Sequence, residues 1–220
     1  MIAVKICGLT DVACVVAAAE AGADWLGFNF FEPSPRFLTP AHAAMLSAQM
    51  PPGPRRVGLF VDPDDAGIAE TLRVVDLDVL QIYAPVARVA EIRGRFGLPV
   101  WRSVAVAERA DLPDAGDADG FVIEPRAPAG ATRPGGNAVA MEWSVLAGWD
   151  APQPWLLAGG LRPDNVAEAI RASGAVAVDV SSGVETAPGV KSPDLIRAFI
   201  RRARAPRSPD VAESASAARA

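Results

Sequence analysis

The length, composition and charge of the chain exclude several classes of protein. Its 220 residues are 50% hydrophobic and 21% charged, which predicts a globular domain with a sizeable core rather than a disordered chain. The net charge is −5 without any stripe of lysine and arginine, and no apolar run reaches the length of a membrane span. We therefore expect neither nucleic acid nor a membrane as a partner.

Short apolar runs recur along the chain and predict eight β-strands. The runs are nearly continuous in hydrophobicity and rich in Val, Ile, Leu and Phe, which is typical of parallel strands covered on both faces. In chain order they span residues 3–7, 25–30, 56–61, 78–83, 99–104, 120–124, 154–159 and 175–181.

Helical patterns fill most of the intervals between these strands. The first, residues 11–23, is rich in alanine and closes at Gly22. Capping residues and prolines at the first helical position predict four further helix starts. These starts are Thr39-Pro40, Asp62-Pro63, Arg162-Pro163-Asp164 and Ser192-Pro193. Only the fifth connection, residues 105–117, is weak as a helix.

Eight alternating strand and helix units predict an α/β fold, a (β/α)8 TIM barrel in a single domain over residues 1–204. The alternative is an open, doubly wound sheet, which usually carries G-x-G-x-x-G after its first strand. Here the first strand is followed by CGLTD, which favours the barrel. The tail, residues 205–220, is rich in Ala, Ser, Arg and Pro, and we expect it to be disordered.

Barrels of this type build their active sites at the carboxyl ends of the strands. Two small, flexible loops follow the last two predicted strands, Gly159-Gly160 and Ser181-Ser182-Gly183. Backbone N–H groups in such loops predict an anion site of the kind that holds phosphate, although plain turns are the alternative.

Cys7 ends the first predicted strand, where two interpretations stay open. Most cysteines in apolar strands only pack, but the last position of a strand can face a cavity. Strand alternation puts Lys5 on the same face, and its ammonium would lower the pKa of the thiol. Cys14 lies among Val and Ala in a helical pattern, which predicts packing.

Polar residues interrupt the predicted strands at Lys5, Gln81, Arg102, Glu124 and Asp179. We expect Lys5 and Arg102 to join a polar layer inside the barrel, with Lys5 paired to Asp179. Glu124 and Asp179 lie nearer the rim, where they are candidates for acid–base chemistry. Arg36, in the loop after the second strand, could grip a carboxylate, although a solvated arginine is the simpler alternative.

Few residues are suited to a metal site or a disulfide framework. The single histidine, His42, excludes a three-histidine zinc site, and its context predicts a helix surface. Two cysteines make no disulfide framework, and the N-terminus lacks the pattern of a signal peptide. We expect no metal, a cytoplasmic location, and a monomer or weak homodimer.

Five segments together resemble the phosphoribosylanthranilate isomerase family of tryptophan biosynthesis. They are KICGLT, LGFNFFEPSPRF, PGG, LAGGLRPDNVAEAI and VDVSSGVETAPGVK, in the order of the family. The resemblance runs from residue 5 to residue 200. It implies a (β/α)8 barrel that needs no cofactor and acts on a small phosphorylated substrate.

The resemblance also implies the reaction, an Amadori rearrangement of N-(5-phosphoribosyl)anthranilate to 1-(2-carboxyphenylamino)-1-deoxyribulose 5-phosphate. A general acid protonates the ribose ring oxygen, and a general base removes the proton from C2. By this resemblance Cys7 is the base and Glu124 stands at the position of the acid, and the implied substrate-binding residues are Arg36, Gly159, Gly160, Ser181, Ser182 and Gly183. From their places at the ends of predicted strands, Asp179 is a further catalytic candidate and Gln81 a further candidate for substrate binding.

Three departures from the family motifs fall on the acid side of the expected pocket. Glu124 replaces an aspartate, Tyr83-Ala84 replaces the His-Gly of QLHG, and PGGNAVAMEW lacks a glycine pair and has Glu142 for Asp. These departures leave two alternatives open. One is an isomerase acting on another sugar phosphate, and the other is a non-catalytic relative that binds phospholigands.

Overall fold

In the computed structural model, residues 1–131, 133–135 and 141–205 are described. Eight parallel strands form a closed barrel in which each strand pairs with its neighbours in the chain, and β8 pairs with β1. The predicted (β/α)8 barrel is confirmed, and every strand end lies within two residues of its prediction. The strands are β1 (Ala3–Cys7), β2 (Trp25–Asn29), β3 (Arg55–Val61), β4 (Val79–Tyr83), β5 (Val100–Val106), β6 (Gly120–Pro125), β7 (Trp155–Leu157) and β8 (Ala177–Val180).

Helices cover the outside of the barrel. They are α1 (Val12–Glu20), α2 (Pro40–Ala48), α3 (Asp65–Leu72), α4 (Val86–Phe96), α5 (Val166–Ser173) and α6 (Pro193–Ala203). The fifth connection, predicted to be a weak helix, contains only the 3-10 turn Arg109–Asp111. Before β7 lies another short turn, Trp143–Leu146. Within the part of the chain that the structure describes, no helix is both long and apolar enough to cross a bilayer.

Two of the four predicted helix starts are confirmed. Thr39 and Ser192 cap α2 and α6, each accepting a hydrogen bond from a backbone N–H of the first turn. The start at Asp62 is wrong, because Asp62 adopts a positive φ of 45° and the next aspartate, Asp64, caps α3 instead. The start at 162–164 is also early, since α5 begins after Asn165, whose side-chain Oδ1 accepts a hydrogen bond from the Arg162 N–H.

Strand side chains alternate between the barrel interior and the layer beneath the helices. Lys5 points inward and its Nζ lies 3.0 Å from Asp179 Oδ1 across the β8–β1 seam, which confirms the predicted pair. The prediction that Arg102 joins this interior layer is wrong. Its neighbour Trp101 points inward, so Arg102 points outward, where it pairs with Asp117 and lies over the ring of Phe121.

His42 is exposed on α2, as predicted. Two other sequence predictions fall on residues that the structure does not describe. Residues 206–220 of the expected tail and residues 136–140 of the PGGNAVAMEW segment lie outside the described residues.

Helix α6 closes the outer layer against α1 and β1. Its Phe199 is fully buried in the main core, whereas Arg201 on the same helix is exposed. We expect Phe199→Ala to lower the free energy of unfolding by about 3–5 kcal/mol through the cavity that it leaves. Arg201→Ala is the control and should change it by less than about 0.5 kcal/mol. Equal effects of the two substitutions in urea unfolding would contradict this packing.

Candidate active site

A pocket opens at the carboxyl ends of the barrel strands, with about 670 Å³ of empty space counting its open mouth. Its wall contains most of the residues that the sequence nominated: Cys7, Arg36, Glu124, Gly159, Gly160, Asp179, Ser181 and Ser182. Gln81 and Gly183 are not part of this wall. Among the described residues, no group of three or more His, Cys, Asp or Glu side chains is arranged to hold a metal ion.

Cys7 ends β1 with its thiol in the pocket wall, and only 4% of the residue is exposed. Its register partner on β2 is Gly27. A Cβ atom at Gly27 would lie 3.0 Å from the Cys7 sulfur, so the glycine gives the thiol its space. Cys14 is buried on α1 away from the pocket, as its sequence context predicted.

Burial dominates the ionisation of Cys7. It raises the pKa of the thiol, and the ammonium of Lys5 opposes this effect only in part. The predicted effect of Lys5 on the thiol exists, but burial outweighs it, so the prediction of a lowered pKa for Cys7 is wrong. Lys5 itself stays protonated, because its pKa is raised: burial lowers this pKa, but the charges of Asp179 and Cys7 outweigh burial.

Arg36 is held by a buried cluster that sequence reasoning missed. A hairpin of β9 (Glu185–Ala187) and β10 (Val190–Lys191) follows β8 and supplies two charged side chains. Glu185 accepts hydrogen bonds from Arg36 Nε at 2.6 Å and Nη2 at 2.9 Å, and from Lys191 Nζ at 2.9 Å. Arg36 is only 4% exposed, so the alternative of a solvated loop arginine is wrong.

The two cations govern the ionisation of Glu185. Burial alone would raise the pKa of this carboxyl, but the hydrogen bond from Arg36 and the charge of Lys191 lower it to about 2. Burial lowers the pKa of Lys191, and the charge of Arg36 lowers it further, while the charge of Glu185 acts in the opposite direction. Glu185 and Lys191 both lie in the VDVSSGVETAPGVK motif, but their spacing does not indicate that the hairpin turns them toward the loop after β2.

The opposite wall of the pocket carries Glu124, near the end of β6, and Tyr83, at the end of β4. Glu124 is 5% exposed, and its Oε1 accepts a hydrogen bond from the Tyr83 hydroxyl. Burial, followed by the charge of Glu124, raises the pKa of Tyr83 well above its ordinary value. Tyr83 was noted in the sequence only as a departure from a motif, although strand alternation puts it on the same face as Gln81.

The two small loops after β7 and β8 line one side of the pocket. Gly159 and Gly160 both have positive φ, at 83° and 63°, which favours glycine. A Cβ at Gly183 would collide with the carbonyl oxygen of Leu161, so this glycine lets the loops after β7 and β8 pack together instead of lining the pocket. The 3-10 turn Ser182–Val184 starts here, and its first N–H groups have no partner within the turn.

The depressed pKa of Glu185 makes stability dependent on pH. Its pKa falls from 4.5 to about 2 on folding. The carboxylate therefore stabilises the fold by up to about 3 kcal/mol above pH 4.5, and this contribution is lost as the pH falls toward 2. We expect Glu185→Gln to cost most at pH 7, and the cost should shrink at pH 3. Exposed Glu70→Gln is the control in urea unfolding, and a cost for Glu185→Gln that is equal at both pH values would contradict the assignment.

Comparison with known proteins places this architecture in one family. The family model described as N-(5'phosphoribosyl)anthranilate (PRA) isomerase matches residues 4–202. An N-(5'-phosphoribosyl)anthranilate isomerase from Acidiphilium cryptum is 57% identical over 204 residues, which cover 91% of this chain and 98% of the relative.

Solved structures agree with the sequence comparison. The phosphoribosyl anthranilate isomerase from Thermotoga maritima has a TM-score of 0.79 at 32% identity, covering 92% of this chain and 98% of that one. A phosphoribosyl anthranilate isomerase in complex with reduced 1-(o-carboxyphenylamino)-1-deoxyribulose 5-phosphate has a TM-score of 0.77 at 30% identity, with the same coverage. With a closed barrel, a thiol and a carboxyl in one pocket, and a family model spanning nearly all of the barrel, this chain belongs to the phosphoribosylanthranilate isomerase family.

Proposed function

We propose that this chain isomerises N-(5'-phosphoribosyl)anthranilate to 1-(2-carboxyphenylamino)-1-deoxyribulose 5-phosphate in tryptophan biosynthesis, with Cys7 as general base and Glu124 as general acid. One observation carries the proposal: a thiol on β1 and a carboxyl on β6 line the same pocket, with β7 and β8 between them.

The proton transfers divide between the two walls. The Glu124 carboxyl gives its proton to the ribose ring oxygen, and the C1–O bond breaks to leave a Schiff base. The Cys7 thiolate then takes the proton from C2, and the resulting enolamine tautomerises to the aminoketone. Burial disfavours the thiolate, so its formation depends on the ammonium groups of Lys5 and Lys191, both of which act to lower the pKa of Cys7.

The remaining polar groups bind the two anions of the substrate. The loops at Gly159-Gly160 and Ser181-Ser182 bind phosphate through their backbone N–H groups. Arg36 binds the anthranilate carboxylate through Nη1, since Nε and Nη2 are held by Glu185. Arg36 and Lys191 carry two positive charges against the one carboxylate of Glu185, and the surplus positive charge suits one carboxylate of the ligand.

Two nominated residues have supporting roles in this scheme. Asp179 lines the pocket but is bound to Lys5, so it serves to hold the ammonium beside Cys7. Gln81 donates from Nε2 to Ser103 Oγ at 2.9 Å, behind the pocket wall, and supports the wall instead of contacting the substrate.

The motif departures at Tyr83 and Glu124 favour one alternative, the same chemistry on a sugar phosphate with another aglycone, because both residues face the pocket. Turnover of N-(5'-phosphoribosyl)anthranilate by the purified protein tests the proposal against this alternative. Binding of the phosphorylated product without turnover would instead support a non-catalytic relative.

Location and assembly follow from weaker features. Both cysteines are free thiols, which suits the cytoplasm. Among the described residues, few large apolar side chains are exposed, and they come from separate segments of the chain: Met1, Val12, Met45, Val74, Val86, Val176 and Val190. So few exposed apolar side chains support a monomer or weak homodimer.

Removing the thiol tests the base. We expect Cys7→Ala to lower kcat by about 100- to 10,000-fold, the range of a general base, with the fold intact by circular dichroism. Cys14→Ala is the matched control, since Cys14 is a buried cysteine outside the pocket wall, and it should retain the activity of the parent protein. Equal activity of the two variants would refute Cys7 as the base.

Neutralising the carboxyls one at a time tests the acid. We expect Glu124→Gln to lower kcat by about 100-fold or more, because an amide cannot give up a proton to the ring oxygen. Asp179→Asn should instead weaken the hydrogen bond to the Lys5 ammonium and shift the limb of the pH–rate profile that reports the ionisation of Cys7. Full turnover by Glu124→Gln, together with an inactive Asp179→Asn, would transfer the acid role to Asp179.

A further inference from the structure

The two pocket side chains at which the sequence departs from the family motifs are in direct contact. Tyr83 and Glu124 are 41 residues apart in the chain, and β5 lies between their strands. The Tyr83 hydroxyl nevertheless reaches Glu124 Oε1. A longer carboxyl on β6 and a phenol on β4 therefore form one structural unit.

The surroundings fix the direction of this hydrogen bond. Gln81 Nε2 donates to Ser103 Oγ at 2.9 Å, so the Ser103 hydroxyl proton is available for another acceptor. Burial, followed by the charge of Glu124, raises the pKa of Tyr83, which keeps the phenol protonated. The phenol is therefore the donor and Glu124 Oε1 the acceptor, and Gln81 and Ser103 belong to the layer beside this pair.

Glycine packs against this pair from the loop after β6. A Cβ at Gly135 would collide with both Glu124 Oε2 and the Tyr83 hydroxyl. The phenol and the longer carboxyl together fill the space that a side chain at this position would need.

We propose that Tyr83 is a positioning residue for Glu124: by donating to Oε1 it holds the carboxyl in a fixed place in the pocket wall. Oε1 can accept from the phenol in both protonation states of Glu124, so the restraint acts before and after the carboxyl gives up its proton. The proposal rests on the acid role of Glu124 given above. It explains how a carboxyl displaced by one methylene can still be held in a productive position.

The first test removes only the hydroxyl. We expect Tyr83→Phe to lower kcat about 10- to 100-fold, since a misplacement of about one ångström costs on that order, with KM changed less than about threefold. The alkaline limb of the kcat/KM profile should move to higher pH, because the carboxylate left after proton transfer loses a donor. Ser173→Ala is the control, since it removes a buried hydroxyl from α5 and should leave the profile unchanged.

The second test is a double-mutant cycle, which remains informative even if the Tyr83→Phe variant fails to fold. Glu124→Asp and Tyr83→His each restore one family residue, and each alone should lose at least about tenfold in kcat/KM. The kcat/KM of the double variant should be at least about tenfold higher than the value expected if the two single losses simply multiplied, because the residues act as a unit.

The outcomes separate this proposal from the acid assignment. If Glu124→Gln is active, the acid role fails and the positioning role fails with it. If Glu124→Gln is inactive while Tyr83→Phe keeps the parent kcat and pH profile, or while the cycle is additive, Tyr83 is not a positioning residue and the acid role stands.

Discussion

The pairing of β8 with β1 closes the barrel, and the buried ion pair across this seam is the constraint on which the pocket depends. The register sets Lys5 opposite Asp179, and a fully buried lysine without its partner would be strongly destabilising. Cys7 lies two residues beyond Lys5 on the same strand face. Closing the barrel therefore also sets the environment of the thiol, so one ion pair serves both the fold and the chemistry.

Charge balance explains why a hairpin is built beyond β8. It brings Glu185 and Lys191 against Arg36 and converts a loop arginine into a rigid, buried group. Together with the seam pair, this side of the pocket holds three cations and two carboxylates. The unbalanced positive charge favours one further anion, which the Cys7 thiolate or a ligand carboxylate can supply. Burial opposes the thiolate and the surplus charge favours it, and these two effects together tune the base.

The opposite wall is organised around one direct contact between side chains. The Tyr83 hydroxyl donates to Glu124, and a glycine leaves room for both side chains. Changes at two positions distant in sequence are absorbed locally because the barrel brings the ends of β4 and β6 to one rim. The pocket therefore keeps the same classes of chemical group while their exact placement shifts.

The sequence predicted the barrel, and most of the residues that it nominated lie in the pocket wall, because local hydrophobic runs set the strand ends in such a fold. The Lys5–Asp179 pair was also predictable, since adjacent strands and matching faces determine it. The prediction for Arg102 failed because the alternation of side chains along β5 was not applied: Trp101 points into the barrel, so Arg102 points outward. The net pKa of Cys7 was misjudged because the sequence shows a neighbouring charge but not the depth of burial.

Other features were beyond the reach of sequence patterns. The clamp of Glu185 on Arg36 depends on how a hairpin folds back over the rim, and no spacing rule encodes this arrangement. The Tyr83–Glu124 contact depends on side-chain length and rotamer across an intervening strand. Helix starts failed at Asp62 because a better-placed aspartate follows two residues later, and local signals alone do not rank such competitors.

The most direct measurement of the central claim is a crystal structure of this protein with reduced 1-(o-carboxyphenylamino)-1-deoxyribulose 5-phosphate bound. We predict phosphate on the loops after β7 and β8, the carboxylate on Arg36 Nη1, C2 of the sugar within about 4 Å of the Cys7 sulfur, and a sugar oxygen within hydrogen-bond reach of the Glu124 carboxyl. A ligand whose C2 faces away from Cys7, with Glu124 out of reach of the sugar oxygens, would contradict it.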